Sequence, residues 1–309
     1  MSVLIREGAG APGLSTVIVN WNTRDLLAQC LESVYAHPPD VAFDVWVVDN
    51  ASCDGSAAMV RERFPDVHLI ENDTNVGFAR ANNQAIRVSN GRYVLLLNSD
   101  TRVLPGALAS MIALLDAQPQ VGIAGAWLLN PDGSPQPCYG APPTFLSEAA
   151  HAWGLDRWGW PGSAPRPSGD VTSFQAFRTG WVQGAALMVR RRLLDQVGLL
   201  DEGYFMYAEE MDWAWRMHAA GWSILCAPAA RVIHHEGQSS RQFRERTFVE
   251  LWRSRWRFFD RYYPPAWRWT ARRLVRACLW ITARRAARQG MPAAELANRQ
   301  RAYREVAAL

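Results

Sequence analysis

Tyr93-Val94-Leu95-Leu96-Leu97-Asn98-Ser99-Asp100 decides how this 309-residue chain is read. Five apolar residues in a row, without alternation, spell a strand covered on both faces. The run then breaks into three polar residues, so Asp100 stands just past the carboxyl end of a sheet strand, where open α/β folds bind ligands. Two roles for Asp100 compete at this point. It caps the turn into Pro105-Gly106, or it holds a divalent cation against phosphate oxygens, since Mg²⁺ and Mn²⁺ favour carboxylate and phosphate ligands.

The same phrase repeats on either side. Thr16 to Val19 runs into Asn20-Trp21-Asn22, and helical spacing follows at Leu26, Leu27, Cys30, Leu31 and Val34. Val45 to Val48 ends in Asp49-Asn50 ahead of a helix to about Phe64, and Val67 to Ile70 ends in Glu71-Asn72. Helices are predicted over Phe78 to Val88 and around Leu108, Met111, Ile112 and Leu115, and Val121 to Ala126 closes the series. Strands alternating with helices predict βαβ units, and so an α/β fold with a doubly wound, mostly parallel sheet flanked by helices. Residues 130–180 lose all periodicity and read as a long variable loop region. Beyond it the pattern predicts a strand over Trp181 to Val189, a helix over Glu209 to Ala220 and a short strand over Trp222 to Leu225. Residues 241–309 read as helices broken at Pro264-Pro265 and near Gly290-Met291-Pro292. The expected organisation is a ligand-binding α/β domain over 1–240 and a helical extension over 241–309.

Composition narrows the setting. The five cysteines are scattered without a Cys-x-x-Cys pair, which argues for a reducing compartment and against a disulfide framework or zinc cluster. No secretory signal and no run of 18 uncharged apolar residues is visible, so a cytoplasmic location is expected. Charge is lopsided: residues 1–240 carry 16 Arg against 24 carboxylates, and residues 241–309 carry 17 Arg against five. In the basic part, Trp252, Trp256, Phe258, Phe259, Tyr262, Tyr263, Trp267, Trp269 and Trp280 interleave with Arg. That mixture suits a bilayer interface, so peripheral contact with a membrane through residues 241–290 is the first expectation. Packing of helices comes second, and nucleic acid is not expected as a partner.

Three polar clusters at strand ends, Asn20-x-Asn22, Asp49-Asn50 and Asn98-Ser99-Asp100, make a rim suited to a nucleotide. Ser52, Asp54 and Ser56 are read as turn and helix-cap residues. In Asn75-Val76-Gly77-Phe78-Ala79-Arg80-Ala81-Asn82-Asn83, Gly77 permits close backbone approach, and one of Asn82 and Asn83 is expected to meet a ligand. Glu209-Glu210-Met211-Asp212 places three carboxylates at the start of a helix, where their repulsion raises the affinity of at least one for a proton, as a general base requires. Arg216 lies four residues after Asp212 and is placed to pair with it, which assigns Asp212 mainly to support and Glu210 to chemistry. In Val232-Ile233-His234-His235, alternation lets only one imidazole reach a common site.

Taken together, Val17-Ile18-Val19-Asn20-Trp21-Asn22, Val48-Asp49-Asn50-Ala51-Ser52-x-Asp54-Gly55-Ser56, Asn75-x-Gly77-Phe78-Ala79-x-Ala81-Asn82-Asn83, Leu97-Asn98-Ser99-Asp100, Gly184-Ala185 and Glu209-Glu210-x-Asp212 with Arg216 and His234 resemble the family 2 glycosyltransferases. The likeness is to their rhamnosyltransferase-like branch. It implies a GT-A, Rossmann-like fold and inverting transfer of a sugar from a nucleotide-diphosphate donor, with deoxythymidine-diphosphate rhamnose as the leading candidate. The implied acceptor is a glycan or a polyprenyl-diphosphate-linked glycan at the inner face of the plasma membrane. Nucleotide-sugar contacts would fall on Val19, Asn20, Asn22, Asp49, Asn50, Asn75, Gly77, Asn82, Ser99 and Gly184. Asp100 and His234 would hold Mg²⁺ or Mn²⁺, and Glu210 would be the base, with Asp212 its rival. Two departures stand out: Asn98 replaces the first Asp of the metal motif, and Glu210 stands where relatives usually carry Asp. The rival reading is a nucleotide-sugar-binding or scaffold protein without catalysis.

Overall fold

The computed structural model describes residues 12–141, 175–235, 244–288 and 293–309. These fall into two compact units. The larger draws on residues up to Gly140, 175–205 and 209–235, and the smaller takes in 206–208 and the helices after residue 243.

The larger unit is built on one sheet. Strands β1 (Leu14–Asn20), β2 (Phe43–Asp49), β3 (His68–Glu71) and β4 (Tyr93–Asn98) are separated by helices α1 (Arg24–Ala36), α2 (Ser56–Arg63) and α3 (Phe78–Val88). They pair in parallel in the order β3-β2-β1-β4. Leu14, Val17, Ile18, Val47, Val48 and Val94 to Leu97 are all buried, as continuous apolar runs covered on both faces require. Removing a leucine side chain of this kind from water stabilises the fold by about 1.5–3 kcal/mol.

The other half is less regular. β5 (Thr101–Val103), α4 (Ala107–Ala117), β6 (Val121–Leu129), β7 (Tyr139–Gly140), β8 (Phe177–Arg178), β9 (Trp181–Val182), β10 (Ala186–Arg190) and β11 (Ser223–His234) follow in the chain, with helix α5 (Glu209–Ala219) ahead of β11. β10 lies antiparallel to both β4 and β6, and β11 runs parallel to β6 and antiparallel to β5. Two sequence-based expectations change here. The strand predicted over Trp181 to Val189 is two strands, because the chain turns at Gln183-Gly184-Ala185. The short strand predicted at Trp222 to Leu225 starts at Ser223 and is only the beginning of a 12-residue strand that continues to His234 through an irregularity between Ala227 and Arg231. The greater part of the 130–180 loop region lies outside the described residues.

Register does the positioning. Asn20 pairs with Asp49, Asp49 with Glu71, and Val19 with Asn98, so the polar strand ends fall on adjoining rungs. The antiparallel strands then bring in distant sequence. Asn98 donates its N–H to the Ala185 carbonyl at 2.9 Å, and His234 pairs with Thr101, beside Asp100.

The smaller unit contains helices α6 (Arg244–Tyr262), α7 (Pro265–Arg288) and α8 (Ala293–Ala308). Trp252, Trp256, Phe258 and Phe259 on α6 are buried, and Trp267 of α7 stands edge-on to Phe259 at 4.6 Å and stacks on Tyr263 at 4.3 Å. Four of the nine aromatic residues that suggested an interface in the sequence are therefore buried in the core of this unit, and Tyr262, Tyr263 and Trp267 are half-buried against them. Asp260 binds Arg272 at 2.9 Å and Arg268 at 3.4 Å, tying α6 to α7.

Candidate active site

Asp49 closes the turn after β2. Its Oδ1 accepts from Asn20 Nδ2 at 3.0 Å and its Oδ2 from the Ser52 N–H at 2.9 Å. Asn20 Oδ1 accepts from the Thr23 hydroxyl at 2.7 Å, and that hydroxyl lies 2.8 Å from Ser99 Oγ. Ser52 Oγ accepts from the Asn22 N–H at 2.9 Å, and Asp54 accepts from the Arg24 and Ser56 N–H groups, the turn chemistry expected of these residues, while the N-cap of α2 is Gly55, without a side-chain cap. Asn50 is spent internally as well: it donates to Asn75 Oδ1 at 2.9 Å and accepts from Asn72 at 3.0 Å and the Val76 N–H at 3.1 Å. Asn22 and Ala51 adopt positive φ of 53° and 65°, strained conformations that this network holds in place.

The α3 entrance sorts the two asparagines. Asn83 exchanges hydrogen bonds with the Leu200 backbone at 2.8 and 3.1 Å, so it fastens α3 to the chain ahead of α5. Asn82 donates to the Phe78 carbonyl, while its buried Oδ1 has no partner among the described residues. Gly77, at φ 86° and ψ 168°, occupies a region open essentially to glycine alone. A Cβ there would sit 2.5 Å from the Phe205 carbonyl oxygen.

Glu210 lies beside Gly184. A Cβ built on Gly184 would stand 3.9 Å from Glu210 Cβ, and the neighbouring Ala185 carbonyl takes the Asn98 N–H. Gly184-Ala185 therefore links the start of α5 to the end of β4. Burial pushes the Glu210 carboxyl up to about 7, and its Oε2 is shielded from solvent without a partner among the described residues. Glu209, also buried, is raised well above the usual carboxylate range by burial and then by the charge of Glu210. Tyr207 and Ala208 lead into this helix at φ 71° and 64°, a strained approach that fixes where α5 begins.

Asp212 is placed differently. It is fully buried and bound by Arg216 at 2.8 Å, and Arg216 in turn donates to the Val197 and Leu199 carbonyls. Its carboxylate takes part in a buried ion pair that anchors α5, the support its spacing from Arg216 predicts beside its rival role as base.

Asp100 Oδ1 and His234 Nε2 lie 3.3 Å apart, with Asn98 Nδ2 3.4 Å from that nitrogen. His234 Nδ1 donates to Gln136 Oε1 at 2.8 Å, and Gln136 Nε2 contacts Asn130 Oδ1 at 3.2 Å and the His234 carbonyl at 3.5 Å, which fixes the amide's orientation. In the neutral imidazole this leaves Nε2 as the atom with the lone pair, beside a carboxylate oxygen. A metal-bound imidazole is arranged in this way, its far N–H held by an outer partner. Two adjacent ligands of an octahedral cation at about 2.1 Å would be separated by about 3 Å. The Asp100–His234 separation matches that spacing. Gln136 carried no sequence signal, and neither did Gln183, whose buried Oε1 has no partner among the described residues.

Residues 15–137 match the sequence family described as Glycosyl transferase family 2. Over that stretch the chain is similar to the family 2 glycosyltransferases. It is 29% identical over 219 residues to the N-acetylglucosaminyl-diphospho-decaprenol L-rhamnosyltransferase of Mycobacterium tuberculosis, a match covering 63% of this chain and 67% of the relative. The fold of this glycosyltransferase is GT-A. It is similar to the mannosyltransferase PcManGT of Pyrobaculum calidifontis, solved with GDP-Man and Mn²⁺ (TM-score 0.57, 20% identity, covering 97% of this chain and 87% of that one). It is also similar to GalNAc-T7, solved with UDP, GalNAc and Mn²⁺ (TM-score 0.58, 17% identity, covering 72% and 43%).

Proposed function

We propose that this glycosyltransferase transfers a sugar, with inversion, from a nucleotide-diphosphate donor to a hydroxyl of a lipid-linked or polysaccharide acceptor. The observation that carries the reading is the bridge Glu210–Gly184-Ala185–Asn98, which joins the start of α5, where Glu210 Oε2 has no partner among the described residues, to the end of β4, two residues before Asp100 and its neighbour His234. With its affinity for a proton raised by burial, Glu210 takes the proton of the acceptor hydroxyl. The freed oxygen attacks the anomeric carbon from the face opposite the diphosphate. The bond from that carbon to the phosphate oxygen breaks, and the nucleoside diphosphate leaves with the electron pair. Asp100 and His234 would hold Mg²⁺ or Mn²⁺, which supplies positive charge for the departing diphosphate. Asn20, Asp49, Asn50 and Asn75, interlocked before any ligand arrives, present a rigid rim to the nucleotide, with Val19, Asn22, Gly77, Asn82, Ser99 and Gly184 completing the contact set.

Rhamnose from deoxythymidine-diphosphate rhamnose is the leading donor, supported by the similarity to the mycobacterial L-rhamnosyltransferase. A polyprenyl-diphosphate-linked acceptor at the inner face of the plasma membrane follows from the same likeness. The test is a donor screen over deoxythymidine-, uridine- and guanosine-diphosphate sugars with and without Mn²⁺, run on the wild type and on Glu210→Gln. Turnover confined to the rhamnose donor and abolished in the variant, with nucleotide affinity retained, is expected. A wild type that binds nucleotide sugar but never turns over would instead make this chain a binding or scaffold protein.

A further inference from the structure

Helix α7 has two faces of opposite character. Ala271, Val275, Cys278 and Leu279, spaced at i, i+4, i+7 and i+8, are buried, the pattern of a core-facing stripe. Trp269, Arg273, Trp280 and Arg284 fall at i, i+4, i+11 and i+15, on the other side of the same helix. Trp269 is 62% exposed and Trp280 57%, the most exposed aromatic residues described. Each carries an Arg on its ring: Arg273 lies 5.1 Å from the Trp269 centroid and Arg284 3.5 Å from that of Trp280. Over its 24 residues α7 contains seven Arg and no Asp or Glu, so the charge on this face is uncompensated from within the helix.

We propose that this face of α7 docks on an anionic lipid surface, lying flat at the headgroup level. Two indole rings on one stripe supply amphipathic area suited to the headgroup boundary, and guanidinium groups stacked on them supply donors for lipid phosphates. No helix among the described residues is long and apolar enough to cross a membrane, and an interfacial helix needs no such length of apolar sequence. The occupant is chosen by charge: a carboxylate-free, arginine-rich helix face complements a negatively charged surface, which attracts basic residues lying near it. The wider expectation that the whole of residues 241–290 meets the membrane is thereby narrowed, since Trp252, Trp256, Phe258 and Phe259 of α6 are buried. This inference does not depend on the donor, the base or the cation.

The full chain is sedimented with vesicles of phosphatidylcholine alone and of phosphatidylcholine mixed equally with phosphatidylglycerol, at low and moderate salt. Wild-type protein should pellet with the anionic vesicles, less so as salt rises, and poorly with the zwitterionic ones. Trp269→Ala combined with Trp280→Ala should lower the partition coefficient roughly tenfold or more. Arg273→Gln with Arg284→Gln should flatten the salt dependence. Both double variants alter only exposed positions, and an unchanged melting temperature will show that they fold. Equal pelleting of the tryptophan variant and wild type would overturn the proposal. So would a wild type that ignores vesicles but self-associates through these tryptophans, for then the stripe covers a second copy of the chain.

Discussion

His234 Nδ1 lies 2.8 Å from the side-chain oxygen of Gln136, 98 positions earlier in the chain. The contact leaves Nε2 as the atom facing Asp100. Loss of an outer partner of this kind costs about 10–100-fold in metal affinity. Gln136→Ala is therefore expected to weaken Mn²⁺ binding by about that factor, measured by titrating the apoprotein with the ion and following its paramagnetic resonance. Unchanged affinity would mean that the imidazole needs no such support.

Glu210 links rate to pH. As the proposed base it would work ionised, so kcat/KM should rise with pH through about 7, where burial has moved the carboxyl from 4.5. Glu210→Gln should lose about 10²–10⁴-fold in turnover together with that limb of the profile.

The same group links stability to pH. The folded chain keeps a proton on Glu210 that the unfolded chain releases above 4.5, so this stabilisation is present at acid pH and is lost as pH rises through about 7. Thermal melts of Glu210→Gln should exceed wild type above pH 7, with the gap closing toward 4.5.

Asp212 separates support from chemistry. Asp212→Asn leaves the Arg216 guanidinium without its buried counter-charge and should cost about 3–5 kcal/mol in denaturant unfolding. A variant of normal stability that has lost only turnover would place Asp212 in the catalytic set.

Gly77→Ala meets two obstacles at once, a backbone conformation closed to side chains and the carbonyl of Phe205. The expected loss is about 1–3 kcal/mol from the backbone alone, read in equilibrium unfolding, with nucleotide binding weakened as the α3 entrance shifts.

What was legible in the sequence followed from local physics. Buried parallel strands are unbroken apolar runs, so β1, β2 and β4 could be placed within a residue or two, and prolines marked the break between α6 and α7. The carboxyl-edge asparagines and aspartates announced a site by their position. What stayed hidden was pairing across distance. β11 was read in fragments because its ladder with β6 shifts register between Ala227 and Arg231, a stretch whose Pro228 and Arg231 break the apolar run. Gln136 was passed over because nothing near it in the chain indicates His234. Asn83 and Asn82 look alike in sequence, and only the carbonyl of Leu200, 117 residues away, separates an anchor from an open acceptor. The aromatic tail misled in part, since Trp and Arg at helical spacing describe an inward core and an outward face equally well.

Gly184 closes the account. A methyl group there would meet Phe78 at 3.7 Å and Glu210 at 3.9 Å, ordinary contact distances that the protein tolerates. The fold itself thus has no need of a bare backbone at that point. Gly184→Ala should leave unfolding untouched, and any activity it removes measures how closely the travelling sugar must brush past the main chain.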